Sequence, residues 1–188
     1  MSHLSNLSDS TAVVAALQQE VPGAALEAVP SIDLQATLYA SRDDVAAVAR
    51  ALRDRPDLRY TLLAELTAVD YHPREPRFEL VYLLVSLEHR HRLRLKVRLQ
   101  GNDARVQTVT GVWPAANWLE REVWDLFGVV FDGHPDPRRL LMPEDWEGFP
   151  LRKDYPVQIN MKPGASEPLQ VTEQEFRANL ERDRLTRS

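Results

Sequence analysis

The chain contains no cysteine among its 188 residues. This absence excludes disulfide bridges, thiol catalysis, and the cysteine ligands on which iron–sulfur clusters and most structural zinc sites depend. Glycine is also scarce: its seven residues are scattered along the chain and form no glycine-rich phosphate-binding loop. The sequence therefore lacks the usual motifs for holding an iron–sulfur cluster or a dinucleotide.

An excess of positive charge and long apolar runs are missing as well. The formal net charge of −5 disfavours nucleic acid as the main partner, because phosphate binding needs a basic surface. No apolar run approaches the ~18 residues that a membrane-spanning helix requires. The start, MSHLSNLSDST, has neither the basic nor the apolar region of a signal peptide. We therefore expect a protein of the cytoplasm that can reach a membrane through a partner.

What is present is typical of a soluble globular protein, with 44% hydrophobic and 27% charged residues. Residues 33–40 alternate between polar and apolar positions as a strand does, and Ser41 is placed to cap a helix over 42–54. Residues 60–71 and 77–88 are rich in strand-forming side chains and are joined by a turn containing two prolines. These stretches predict helices and strands that share one sheet.

The clearest strand pattern lies in residues 92–99, where leucine and valine alternate with four basic residues. The aliphatic side of such a strand must be buried. We expect a mixed sheet over residues 33–110, with the helix near 42–53 on its apolar face and an earlier helix that begins at Ser10 or Thr11. The prediction is an α+β fold: a two-layer domain with a mixed, largely antiparallel sheet and helices on one face.

The second half of the chain changes character after a helix that is predicted to begin near Pro114 and to end at Gly128. Residues 132–156, called here the C-terminal arm, combine prolines and glycines with large apolar side chains. They cannot form a regular helix or central strand, so we expect an extended segment that lies on a protein surface. The predicted division is an α+β domain over 1–131, and the arm with a short C-terminal helix over 132–188.

Acids and bases are concentrated in the stretch EREVWDLFGVVFDGHPDPRRLL, residues 120–141. Glu120 and Glu122 point about 200° apart around a helix. Glu122 and Asp125 share a side, but no histidine joins them on that helix, so a metal site is disfavoured. Arg121 and Asp125 are spaced for an i, i+4 ion pair, and acids beside Arg121 are expected to have a lowered pKa. A hydrolase that uses Glu122, Asp125 and His134 stays as an alternative. The pattern favours a structural or docking role.

These residues resemble the motif of the thirty-kilodalton subunit family of respiratory NADH:quinone oxidoreductase, complex I. The positions that carry the resemblance are Glu120, Arg121, Glu122, Asp125, Leu126, Phe127, His134, Arg138, Leu140 and Leu141, and the continuation Gly148, Pro150, Leu151, Arg152, Lys153, Asp154, Tyr155 and Pro156. The stretch TAVDY, residues 67–71, is also similar to the family. The resemblance covers roughly residues 35–156, and related hydrogenase-type complexes share the motif.

The resemblance implies a subunit without catalytic, cofactor-binding or metal-binding residues, placed in the hydrophilic arm of a proton-translocating enzyme at the cytoplasmic face of the cell membrane. FMN and iron–sulfur clusters would belong to partner subunits, and the large quinone-site subunit would be the main partner. An equivalent subunit of a membrane-bound hydrogenase-type complex is the alternative. The residues expected to dock partners are Glu120, Arg121, Glu122, Asp125, His134, Arg138, Arg139, Trp146, Phe149, Arg152, Asp154 and Tyr155.

Overall fold

The structure, a computed structural model, describes residues 10–156. Its helices are α1 (Ser10–Glu20), α2 (Val45–Asp54) and α3 (Ala116–Phe127), and its strands are β1 (Leu26–Val29), β2 (Ala36–Ala40), β3 (Leu62–Asp70), β4 (Phe78–Ser86), β5 (His91–Leu99), β6 (Arg105–Gln107) and β7 (Val130–Asp132).

Five strands form one mixed sheet in the order β1-β2-β5-β4-β3. The β2–β5 pair is parallel and the other three pairs are antiparallel. Because β2 and β5 run in the same direction, the chain between them must cross over, and α2, β3 and β4 lie in that connection. The predicted α+β fold with a mixed, largely antiparallel sheet is confirmed.

The alternation in β5 buries one side of the strand, as predicted. Leu93, Leu95 and Val97 are fully buried, and they join one core with the apolar side chains of the three helices. The opposite side carries Arg92, Lys96 and the other basic residues of β5, which are half-buried or exposed. This second side of the five-stranded sheet is called the open face.

Two boundaries differ from the sequence prediction. The strand expected over 33–40 begins only at Ala36, because Asp33 accepts hydrogen bonds from Ser31 and from the backbone N–H of Gln35 and so closes a turn. Leu34, within that turn, has a positive φ of 58° and is exposed. The preceding strand β1 was not predicted at all, since its four residues give too short a pattern.

The sheet is also less continuous than predicted. β6 does not join it but pairs in parallel with β7 in a separate two-stranded sheet, because residues 105–107 align with 130–132 beyond α3. The second helix begins at Val45, so Ser41 caps a preceding turn instead, where its hydroxyl accepts the N–H of Asp43 at 3.2 Å. The expected C-terminal helix, with Thr172 and Glu175, lies outside the described residues.

Candidate functional site

Helix α3 is buried on more than its apolar side. Val123 and Phe127 face the core at helical spacing, as expected. Glu120 and Asp125 are also fully buried, and Arg121 nearly so. The helix ends at Gly128 in the left-handed conformation, with φ 73°, as predicted. Charged side chains this deeply buried require hydrogen-bonding partners, and most of those partners lie in the C-terminal arm.

Asp125 is the main attachment point of the arm. Its Oδ2 atom accepts the backbone N–H groups of Leu140, Leu141 and Met142 at 3.0, 2.7 and 2.9 Å, and its Oδ1 accepts Nη1 of Arg139 at 2.7 Å. Burial opposes ionisation of this carboxyl group, but these donors outweigh it and lower the pKa of Asp125 below its ordinary value. One carboxylate thus satisfies three N–H groups of a segment that has no regular structure.

Arg121 makes the complementary contacts to arm carbonyl groups. Its Nε donates to the carbonyl oxygen of Arg138 at 3.0 Å, and its Nη2 donates to that of Arg139 at 2.9 Å. Nη1 lies 3.6 Å from a carboxylate oxygen of Asp136. The predicted pairing of Arg121 with Asp125 is therefore wrong, because the arm occupies both side chains with donors and acceptors that a helical spacing cannot reveal.

Glu120 points away from the arm into the domain. Its oxygens accept the hydroxyl of Thr108 at 2.5 Å and the backbone N–H of Val109 at 2.7 Å. Burial raises the pKa of Glu120 to about 7, against the opposing effect of these two hydrogen bonds. Arg121 was expected to lower the pKa of the acids beside it. The pKa of Glu120 is raised instead, and the lowered pKa of Asp125 comes from backbone N–H groups and Arg139, since the guanidinium of Arg121 is directed to the arm.

His134 lies beside Glu120. Its Nδ1 accepts the N–H of Asp136 at 3.0 Å, so the ring proton lies on Nε2, which donates to the carbonyl oxygen of Asn117 at 3.1 Å. Nε2 is also 3.9 Å from Glu120 Oε2. The cavity beside Glu120, Arg121 and His134 measures only about 50 Å³. That volume holds a water molecule but not a substrate.

A second cluster fastens the far end of the arm to the sheet. Buried Asp70, at the end of β3, receives two hydrogen bonds from the guanidinium of Arg77, at 3.0 and 2.9 Å, and one from the N–H of Lys153 at 2.9 Å. The same guanidinium donates to both carboxylate oxygens of Asp154 at 3.0 and 2.6 Å. This cluster was not predicted, although Asp70 lies within the TAVDY stretch that carries part of the resemblance.

Aromatic side chains fill the space between these two attachments. A Cβ atom at Gly128 would lie 2.5 Å from the ring of Phe149, so the close approach of the arm as well as the positive φ requires glycine. Arg152 donates to the carbonyl oxygen of Phe127 at 2.5 Å and lies 4.6 Å above the ring of Phe149. Trp146 and Tyr155 stack with their centroids 6.5 Å apart. The arm therefore packs on its own domain.

The predicted docking residues differ in accessibility. Glu120, Arg121, Asp125 and the side chain of His134 are buried. The half-buried residues are Glu122, Arg139, Trp146, Phe149, Arg152 and Tyr155, and the exposed ones are Arg138 and Asp154. The most accessible large apolar side chains of this region are Trp118 and Leu141, each 60% exposed, and neither is among the predicted docking residues. The guanidinium of Arg121 lies 5.1 Å above the Trp118 ring. A partner can touch Trp118, Arg138 and Leu141 directly.

The trio of the hydrolase alternative is not assembled into a site. Asp125 is hydrogen-bonded to the arm, and His134 faces Glu120 and Asn117. Over residues 10–156, no three or more histidine, aspartate and glutamate side chains converge as metal ligands. The geometry of this region is that of a fastening between helix and arm.

The chain is similar to subunits of respiratory complexes. A subunit of NADH-quinone oxidoreductase from Roseiflexus castenholzii is 48% identical over 149 residues, which cover 79% of this chain and 85% of the relative. The same subunit from Geotalea uraniireducens is 40% identical over 155 residues, covering 82% and 93%. A chain in the structure of the membrane-bound sulfane sulfur reductase, an archaeal respiratory membrane complex, is 28% identical with a TM-score of 0.62, over 77% of this chain and 84% of that one.

The family defined as respiratory-chain NADH dehydrogenase, 30 Kd subunit, matches residues 38–160. The match includes the five-stranded sheet from β2 onward, helix α3 and the whole C-terminal arm. The resemblance that the charged motif indicated is thus confirmed, and the chain belongs to the family of the 30 Kd subunit of respiratory-chain NADH dehydrogenase.

Proposed function

We propose that the chain is a structural subunit, without a cofactor of its own, in the hydrophilic arm of a proton-translocating NADH:quinone oxidoreductase. Electrons would pass from NADH to quinone through FMN and iron–sulfur clusters held by other subunits. Family membership supports the complex, and the lack of cysteine supports placing iron–sulfur clusters elsewhere. The activity would belong to the assembly, and we expect no catalytic residue in this chain.

The observation that supports the structural role is that the charged side chains of the motif bind other parts of the same chain. Asp125 and Arg121 are saturated by the arm, and Glu120 is enclosed beside a cavity of about 50 Å³. A catalytic acid or base must reach a substrate within hydrogen-bonding distance. These groups reach only the chain itself, which supports a role in shaping the arm.

The surface that this arm creates is the proposed docking site. Trp118, Arg138 and Leu141 lie where α3 meets the arm, and tryptophan and arginine are the residue types that most often dominate binding energy at interfaces. We propose that this surface, with the accessible predicted docking residues, binds the large quinone-site subunit at the cytoplasmic face of the membrane. Within the described part of the chain, no helix is long and apolar enough to cross a bilayer.

A second candidate is the equivalent subunit of another membrane-bound respiratory complex. The likeness to a chain of the sulfane sulfur reductase complex favours it. The two candidates differ in the electron donor and acceptor of the whole complex, so membranes that contain the tagged chain distinguish them. Capture of the complex with NADH:quinone activity supports the first candidate, and capture with sulfane sulfur reduction or hydrogen turnover supports the second.

The test of the proposed function uses cells from which the gene of this chain has been deleted. We expect their membranes to lose NADH:quinone oxidoreductase activity, and the full-length chain to restore it and to comigrate with the complex on native gels. The double variant Trp118→Ala/Arg138→Glu should restore less activity, while purified chain alone should show no flavin absorbance, iron or NADH oxidation. Full activity in the deletion strain would contradict the proposal.

A further inference from the structure

The open face of the sheet carries a contiguous aliphatic area on its last two strands. The pairing register forms rows across β3, β4 and β5 in that order: Leu62–Val85–Arg92, Glu65–Leu83–Arg94, Thr67–Val81–Lys96 and Val69–Glu79–Arg98. The aliphatic residues and Thr67 of this grid are called the sheet patch: Leu62, Thr67, Val69, Val81, Leu83 and Val85. Its side chains on β4 are half-buried and those on β3 are exposed.

The patch extends to the edge strand of the sheet. β3 is the last strand of the sheet and is nine residues long. Leu62 and Val69 on it are 42% and 37% exposed. Proteins usually blunt or cover a long edge strand, because its unpaired backbone groups and apolar side chains favour association. Helix α3 packs against β3 and the arm reaches the end of this strand at Asp70, but Leu62 and Val69 stay accessible.

Three of the basic residues that β5 places on the open face form ion pairs with carboxylates. Arg94 pairs with Asp33 at 2.6 Å, Lys96 with Glu79 at 2.8 Å, and Arg98 with Glu27 at 3.6 Å. Each of these cations of β5 thus has a carboxylate supplied by a neighbouring segment of the same chain.

Arg92 is the exception on that strand. It is exposed, lies directly beside Val85 in the register, and forms no ion pair with any residue in 10–156. On the other side of the patch Glu65 is equally exposed and has no ion-pair partner in the same range. Arg92 and Glu65 are separated by two strand spacings and by two residues along the strands, so these opposite charges are about 12 Å apart, with aliphatic side chains between them.

We propose that the sheet patch docks a segment of a neighbouring subunit that presents aliphatic side chains flanked by a carboxylate, which pairs with Arg92, and by a cation, which pairs with Glu65. This inference rests on the proposed function, since it requires a multisubunit complex. It adds a second contact surface, on the opposite side of the sheet from the helices. The aliphatic side chains supply burial, and the two flanking charges set the orientation of the segment.

The test measures incorporation of full-length tagged variants into the complex in cells that lack the native chain. Arg92→Glu and Glu65→Lys should each lower the incorporated amount about tenfold, because each places like charges together in the contact. Arg50→Glu is the matched control, since Arg50 is an exposed arginine of α2, in the helical layer. Purified variants should keep the circular dichroism spectrum and thermal midpoint of the wild-type chain.

The outcomes separate this inference from the proposed function. If the wild-type chain itself does not enter a complex, the proposed function fails. If the wild-type chain enters and both charge variants enter equally well, only the sheet-patch inference fails. Stronger incorporation of Glu65→Lys would indicate a uniformly acidic partner and would overturn the sheet-patch inference. A wild-type homodimer in solution that Arg92→Glu dissociates would overturn it as well.

Discussion

Buried carboxylates in this protein behave according to the donors around them, not according to the charges next to them in sequence. Asp125 has three backbone N–H donors and one guanidinium, and its pKa is lowered despite burial. Glu120, five residues earlier and equally buried, has one hydroxyl and one N–H donor, and its pKa is raised to about 7. The difference lies in the number and charge of the donors that offset desolvation.

Replacing Asp125 with asparagine should destabilise the domain strongly. An amide cannot accept both the three N–H groups and the guanidinium, so Arg139 would lose its buried counterion. Loss of one partner from a buried ion pair typically costs about 3–5 kcal/mol. Urea unfolding of the full chain measures this change. Asp145→Asn is the control, because Asp145 is an exposed aspartate of the same arm, and an equal loss for both variants would contradict the role of Asp125.

Glu120 should make stability depend on pH between about 5 and 8. A carboxyl group whose pKa is higher in the folded state contributes stability that is fully present below its ordinary value of 4.5 and is lost as pH rises through about 7. A pKa change of this size corresponds to about 3 kcal/mol. Glu120→Gln keeps the shape and removes the titration, so its stability relative to wild type should rise by about 2–3 kcal/mol from pH 5 to pH 8.

The comparison for Glu120 is best made by urea unfolding of both chains at the two pH values. Glu122→Gln serves as a second control, since this glutamate of the same helix is only half-buried and makes no hydrogen bond to a described residue. A pH dependence that is the same in wild type and Glu120→Gln would show that this carboxyl group does not titrate in that range.

At the scale of elements, the charged side of α3 acts as a template for a segment that has little hydrogen bonding of its own. The arm is too rich in proline for a ladder of backbone bonds, so its N–H and C=O groups need side-chain partners when buried. Asp125 and Arg121 provide an acceptor and a donor one turn apart on the same face of one helix. A helix can thus order an irregular segment through hydrogen bonds made by its side chains.

Amide hydrogen exchange should report this ordering directly. The N–H groups of Leu140, Leu141 and Met142 donate to Asp125, whereas those of Glu144 and Asp145 donate to no described group. We expect slow exchange for the first three and fast exchange for the other two, measured residue by residue by NMR. In Asp125→Asn the protection of 140–142 should fall toward that of 144–145. Unchanged protection there would mean that another contact orders the arm.

Elements with a regular period could be predicted from the sequence, while contacts between distant segments could not. The alternation of β5 predicted its buried side, and Gly128 predicted the end of α3, because both depend on neighbours a few residues away. The pairing of Arg121 with Asp125 was wrong because the real partners lie about fifteen residues later in an irregular arm. The Asp70–Arg77–Asp154 cluster joins segments eighty residues apart, and no local pattern signals it.

Residues 1–131 are predicted from the sequence to form a unit that folds without the arm. The chain up to Tyr155 forms one compact unit, so the predicted boundary at 131 stays a prediction. The five-stranded sheet and its helices share one core to which the arm adds no member, because the core residues all precede residue 132. This arrangement favours an independent domain that the arm stabilises from outside.

A chain truncated after Gly133 should therefore keep its fold and lose only part of its stability. Truncation removes Trp146, Phe149 and the other half-buried apolar side chains of the arm, but it also exposes Asp125 and Arg121 to water, which solvates them. Point substitution of Asp125 instead leaves Arg139 without its counterion in an arm that is still present. We expect truncation to cost about 2–5 kcal/mol, no more than Asp125→Asn, and to leave one cooperative urea transition in tryptophan fluorescence. A truncated chain without such a transition would show that the arm is part of the folding unit and that the boundary at 131 is misplaced.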